Sequence, residues 1–262
     1  MKRAFIFTGQ GEGLGIHNPQ LATFWMSIAL AKILIANDIK PDAIAGLSLG
    51  EYACFVVADV FNVEELEQIL IFRQKIMDDA LRGLNTSMVA CLGMPAKEIE
   101  KMATRCGLFV TNYNSPMQTV VGGEKTRIKE FKDAFRQFKN ASTIDLRVIG
   151  AFHSPYLNSA SEKMRRFLDS FCEKTPTIPI YCNLTGKKII KDVRGAMVKH
   201  LVSPVQFQSI IENMLDDSVD EFISIGIGTT PVNLIRQIYK GKGVRARVRK
   251  VESLEDIERI IK

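Results

Sequence analysis

Apolar positions along the chain alternate between short continuous runs and stretches of helical spacing. Residues 3–7 read as a buried strand, and a glycine-rich turn, Gly9-Gln10-Gly11-Glu12-Gly13, follows. From 21 to 36 the apolar residues, among them Leu21, Phe24, Trp25, Ile28, Ala29, Ala31 and Ile33, recur at helical intervals, and Pro41 and Asp42 end the pattern. Ala43-Ile44-Ala45-Gly46 predicts a short parallel strand that runs into a new helix from about Gly50 to Ala58. Residues 63–83 predict another helix, with Asn62 as cap and Glu64 and Glu65 in the first turn, where the helix dipole favours negative charge.

The pattern changes near residue 86. Strands are expected over 87–92, 108–113, 118–122 and 142–148, with helices over 95–105 and 125–138 between them. Strand-helix-strand-strand-helix-strand is the ferredoxin-like order. The chain then returns to α/β alternation, with helices over 156–172, 204–215 and 230–239 and strands over 178–182 and 220–225. The expected fold is therefore α/β: a mostly parallel sheet flanked by helices, similar to an α/β-hydrolase core, with an inserted ferredoxin-like small subdomain. The expected boundaries are 1–86 and 148–262 for the large subdomain and 87–147 for the small one.

At 262 residues the chain accommodates such a core without disulfides. Five cysteines, none in a CxxC pair or with zinc-ligand spacing, argue against a disulfide framework and against a metal site. No apolar run of signal-peptide or membrane-spanning length is found, so a cytoplasmic protein is expected. The net charge is +6. Basic residues gather at Lys240, Lys242, Arg245, Arg247, Arg249 and Lys250, which favours an anionic partner. They lack the interleaved aromatics of a nucleic-acid surface, so no nucleic-acid partner is expected.

Gly46-Leu47-Ser48-Leu49-Gly50 matches G-x-S-x-G between a predicted strand and a predicted helix. There the motif has a mechanical meaning: a sharp turn exposes the serine hydroxyl at a helix N-terminus. A serine needs a base, and the chain has three histidines. His17 lies beside the glycine-rich turn, and His200 follows a lysine near a helix end, where a solvated histidine is unremarkable. His153 sits among small residues in Gly150-Ala151-Phe152-His153-Ser154-Pro155, a setting that can present a ring to a pocket.

Several segments, in order, resemble the malonyl-CoA:acyl-carrier-protein transacylases and the acyltransferase domains of polyketide synthases. They are Phe7-Thr8-Gly9-Gln10-Gly11, Gly46 to Tyr52, Phe72 to Met77, Asn114 to Gly123, Gly150 to Pro155, Pro204 to Phe207 and Ile225 to Gly228. The resemblance implies Ser48 as nucleophile and His153 as base, oriented by backbone carbonyls expected near Gly226 to Gly228. It implies the backbone N–H groups of Gln10 and Leu49 as oxyanion hole, and Arg73 as the clamp for a malonyl carboxylate. Asn114 and Phe152 are expected at the substrate; the Ala151-Phe152 pair resembles the malonyl-preferring type. The implied reaction moves malonyl from malonyl-CoA to the phosphopantetheine thiol of an acyl carrier protein or polyketide carrier domain. No cofactor of the enzyme's own is implied, and a monomer is expected. Which pathway, fatty acid or polyketide, stays open.

The chain departs from the family at Leu47, where a histidine is usual, and between Gln10 and Ser48, where 38 positions (48 − 10) stand for a longer segment. Three rival readings accompany it. One is an acyl hydrolase with water as acceptor, and another a binding-only relative impaired by the shortening. The third is a dinucleotide-binding protein, for which Gly9-x-Gly11-x-Gly13 has the wrong spacing.

Overall fold

The computed structural model describes residues 1–9 and 19–262. The chain runs through β1 (Arg3–Phe7), α1 (Pro19–Ala36), β2 (Ala43–Gly46), a short helical turn over Ser48–Gly50, α2 (Glu51–Val57) and α3 (Val63–Leu81). Then come β3 (Thr86–Leu92), α4 (Ala96–Arg105), β4 (Phe109–Ser115), β5 (Gln118–Glu124), α5 (Lys125–Phe135) and β6 (Ser142–Asp145). The remainder is α6 (Asn158–Leu168), β7 (Ile180–Tyr181), β8 (Lys188–Ile189), α7 (Val193–His200), α8 (Phe207–Asp216), β9 (Glu221–Ile225), α9 (Thr230–Gly241), β10 (Arg247–Val251) and α10 (Leu254–Ile261).

Among the described residues, one sheet has the order β10-β9-β1-β2-β7-β8 and is parallel except for the β7–β8 pair. Successive residues of a strand point to opposite faces, and both faces here are covered, so the central strands are apolar throughout. Phe5, Phe7, Ile44 and Ile223 belong to the core shared with α1, α2, α3 and α6. Ala4, Ile6, Ala43, Ala45 and Phe222 belong to the core shared with α8 and α9. Complete burial of Phe5, Phe7 and Phe222 contributes about 1.5–3 kcal/mol each. At α3 the sequence sets the start: Asn62 accepts from the Glu65 amide while the Glu65 carboxylate accepts from the Asn62 amide.

The second sheet is antiparallel, with order β4-β5-β3-β6, the ferredoxin-like arrangement. One face packs Val89, Cys91 and Val121 against Ile99 of α4 and Ile128, Phe131 and Phe135 of α5. The other packs Met88, Ala90 and Val120 against Ala151. Two backbone bonds fasten this sheet to the segment before α8: Tyr113 N–H to Val205 O at 2.8 Å and Val205 N–H to Thr111 O at 2.9 Å.

Several elements differ from expectation. The helix expected to 172 stops at Leu168, and the one expected to 138 stops at Phe135. The strand expected to 148 stops at Asp145, where its pairing with β3 ends. β8, α7, β10 and α10 were not anticipated; β8 is two residues long, too short to leave a periodic signal.

Candidate active site

The site is built at the C-terminal edge of the parallel sheet, where β2 gives way to α2. Ser48 has φ +52°, in the left-handed region, and so does His153 at +54°. For residues with a Cβ this conformation costs roughly 1–3 kcal/mol and persists only where surroundings enforce it. The glycines of the motif explain how. A Cβ on Gly46 would lie 2.0 Å from the Gly50 carbonyl carbon, and one on Gly50 would lie 2.3 Å from the Phe7 carbonyl oxygen. Strand, turn and helix therefore touch backbone to backbone, leaving Ser48 at the apex.

Ser48 Oγ is 2.7 Å from His153 Nε2. His153 Nδ1 is 2.9 Å from the carbonyl oxygen of His200. A carbonyl can only accept, so Nδ1 carries the proton and Nε2 is left bare to accept from the serine. His153 is buried, and its pKa is held well below the ordinary histidine range. Burial is the main cause; charge on His200 and Arg73 adds to it, and the bond to the carbonyl opposes it. The ring is thus kept neutral, the form that can accept a proton at Nε2.

The orienting carbonyl comes from His200 rather than from the loop near Gly226 to Gly228. That loop packs elsewhere: Gly226 N–H donates to Val251 O, and a Cβ on Gly226 would lie 2.1 Å from Thr8 Oγ1. His200 is also not a solvated residue. It is 1% exposed, its ring stacks on that of His153 with centroids 4.6 Å apart, and its Nδ1 lies 3.2 Å from Glu51 Oε2.

Glu51 is buried as well. Burial alone would raise its pKa, but the hydrogen bond and charge of His200 and the bonds from Asn183 outweigh this and hold it below its ordinary value. Asn183 N–H donates to Glu51 Oε1 at 2.6 Å, Asn183 Nδ2 donates to Gly46 O at 2.7 Å, and Asn183 Oδ1 accepts from the Ser48 N–H at 3.0 Å. Sequence reasoning missed Glu51, Asn183 and His200 as parts of the site. The one available signal was an acidic residue just past the nucleophile turn, in a helix otherwise apolar from Tyr52 to Val57.

The Ser48 N–H is engaged by Asn183. Leu49 lies in the first helical turn after the serine, where backbone N–H groups lack intrahelical partners. Gln10 falls outside the described residues. Its neighbour Gly9 does not: a Cβ there would lie 2.8 Å from Leu47 O, so the chain entering the glycine-rich turn abuts the nucleophile turn.

Arg73 projects from α3 and is 3% exposed. One terminal nitrogen, Nη1, donates to Gln20 Oε1 at 2.9 Å, and the guanidinium carbon stands 5.2 Å from the centre of the Tyr52 ring. Its Nε is buried with no hydrogen-bond partner, and among the described residues no carboxylate pairs with it. A buried cation left open in this way is costly unless an anion arrives. Phe152, half-buried, packs against the core beside the helices and the core under the small sheet. Asn114 is not brought to Ser48 by any bond among the described residues: its Nδ2 donates to Gln118 Oε1 at 2.9 Å, and its Oδ1 is buried without a partner.

The acyl transferase domain family matches residues 6–252. The chain belongs to that family. It is 31% identical over 264 residues to a malonyl CoA-acyl carrier protein transacylase of Staphylococcus aureus, covering 97% of this chain and 83% of the relative. It is 29% identical over 245 residues to the Bacillus subtilis protein of the same name, covering 90% and 77%. In fold it is similar to an acyl-carrier-protein S-malonyltransferase of Burkholderia pseudomallei, with a TM-score of 0.92 at 22% identity over 100% of this chain and 99% of that one. The same TM-score, identity and coverage relate it to a malonyl-transacylase solved with a type II polyketide acyl-carrier protein.

Among the described residues no group of three His, Cys, Asp or Glu side chains is placed to hold a metal ion, and no helix is long and apolar enough to cross a membrane.

Proposed function

We propose that this acyltransferase moves a malonyl group from malonyl-CoA to the phosphopantetheine thiol of an acyl carrier protein, through an ester on Ser48. The observation that carries this is the buried Arg73 guanidinium, open to a carboxylate and close enough for its charge to be felt at His153. A planar guanidinium pairs with a carboxylate through parallel N–H donors, which suits the free end of a malonyl group. A simple acyl group would leave the cation unanswered.

In the first half-reaction the Ser48 hydroxyl gives its proton to His153 Nε2 as Oγ attacks the thioester carbonyl. The Leu49 N–H and, in this proposal, the Gln10 N–H receive the developing oxyanion. The intermediate expels CoA, whose sulfur takes the proton from His153, leaving malonyl-Ser48. In the second half the carrier thiol gives its proton to His153, and the thiolate attacks the ester. Ser48 leaves with the proton returned. The boundaries at 86 and 148 belong to the same proposal, with the small subdomain as one wall of the acyl site.

The test is to load the full-length protein with malonyl-CoA, follow the intact mass, and then add phosphopantetheinylated carrier protein. An adduct of one malonyl group that moves to the carrier is expected. Release as free malonate, with none on the carrier, would replace transfer by hydrolysis. No adduct on folded protein would overturn both.

A further inference from the structure

Glu51 and His200 form a buried side-chain pair, Nδ1 to Oε2 at 3.2 Å, that the proposed chemistry does not use. Followed outward, it touches both reacting residues. His200 reaches His153 through its carbonyl, at 2.9 Å, and through its stacked ring. Glu51 reaches Ser48 through Asn183, which accepts from the Ser48 amide and donates to the carbonyl of Gly46. The path His153–His200–Glu51–Asn183–Ser48 closes on itself through the 2.7 Å contact of Ser48 with His153.

We propose that Glu51 and His200 are positioning residues that hold the nucleophile turn and the base at reaction distance through one buried polar ring. The inference rests on the acyl-transfer reading for the roles of Ser48 and His153. Its physical content is simple. Both reacting residues sit in left-handed backbone that relaxes if released. They come from segments 105 positions apart in sequence. The Glu51–His200 contact links the start of α2, which directly follows the nucleophile turn, to the end of α7, which carries the orienting carbonyl. In a water-excluded setting such a link is strong and directional. His200 Nε2 is buried without a partner, so the ring's hydrogen bonding among the described residues rests on Nδ1 and Glu51.

Other titratable groups facing the pair are Arg73 on α3, Tyr52 and Cys54 on α2, and Cys182 beside Asn183. The charged residues of α6, which packs on α7, are exposed: Glu162, Lys163, Arg165 and Arg166.

The test uses the full chain and three variants: His200→Ala, His200→Gln and Glu51→Gln. With three histidines in the chain, imidazole resonances are resolvable by NMR, and His153→Ala assigns the one that matters. In the resting wild type the His153 Nδ1–H proton is expected as a hydrogen-bonded, exchange-protected signal. His200→Ala and Glu51→Gln lose it, and Ser48 loading falls on the order of 100-fold, the usual effect of misplacing a reacting group by about 1 Å. His200→Gln, which still donates to Glu51, keeps the signal and regains most of the rate. A folded His200→Ala protein with the signal and rate intact would overturn the proposal. If His200→Ala does not fold, loss of the signal and the rate in His200→Gln, or their retention in Glu51→Gln, overturns it. The ring signals need no substrate, so a wild type that takes no acyl group defeats the acyl-transfer reading and leaves the pairing measurable.

Discussion

Two buried carboxylates lie at opposite ends of the same parallel sheet, and they are treated differently. Glu221 opens β9 at the N-terminal edge and is 1% exposed. Three arginines surround it: Arg3 at 2.6 Å, Arg249 at 3.2 Å and Arg247 at 3.8 Å. Glu51, at the C-terminal edge, meets a histidine, His200, at 3.2 Å, and the nearby cation Arg73 has no carboxylate among the described residues. One end has its charge answered within the fold. The other keeps a cation open. Saturated charge is architecture; in the proposed function, the charge left open where β2 turns into a strained serine receives the acyl carboxylate.

Changes at the two ends should separate activity from stability. The largest effect is expected from Ser48→Ala, which removes the only atom able to form the ester and lowers acyl loading by roughly 10⁴-fold or more, measured as CoA release, with little change in melting temperature. Glu221→Gln should do the reverse. It leaves Arg3 and Arg249 facing a neutral group in a buried setting and costs on the order of 3 kcal/mol in denaturant unfolding, while loading per folded molecule stays the same. A loss of loading at unchanged stability would erase the distinction between the ends. Arg247→Ala should be the mildest: that side chain is 57% exposed and its contact is long, so a change below about 1 kcal/mol is expected in the same unfolding measurement.

Much of this organisation is legible in the residues, for identifiable reasons. The nucleophile turn announces itself because its glycines are dictated by backbone contact, as the overlaps at Gly46 and Gly50 show. The ferredoxin-like subdomain announces itself because its strands and helices are local and strongly periodic. His200 does not. Its sequence neighbours, Lys199 and Leu201, resemble any helix end, and its importance comes from Glu51, 149 positions away (200 − 51). Asn183 is hidden for the same reason: it is a small polar residue after a two-residue strand, and only β2–β7 pairing brings it to the Ser48 amide. Nor could the sequence alone say which carbonyl orients His153. A glycine loop and a helix end are equal candidates until the distance is known.

The central claim, that the open cation at the C-terminal edge receives the acyl carboxylate, is tested most directly by intact-protein mass spectrometry of Arg73→Ala. Wild type and variant are exposed briefly to malonyl-CoA and, separately, to acetyl-CoA. The account predicts that the variant loses malonyl loading on the order of 100-fold, the scale of removing one partner from a buried charged pair, while acetyl loading does not fall. Equal loss of both acyl groups would mean that Arg73 supports the site without reading the substrate, and would contradict the account.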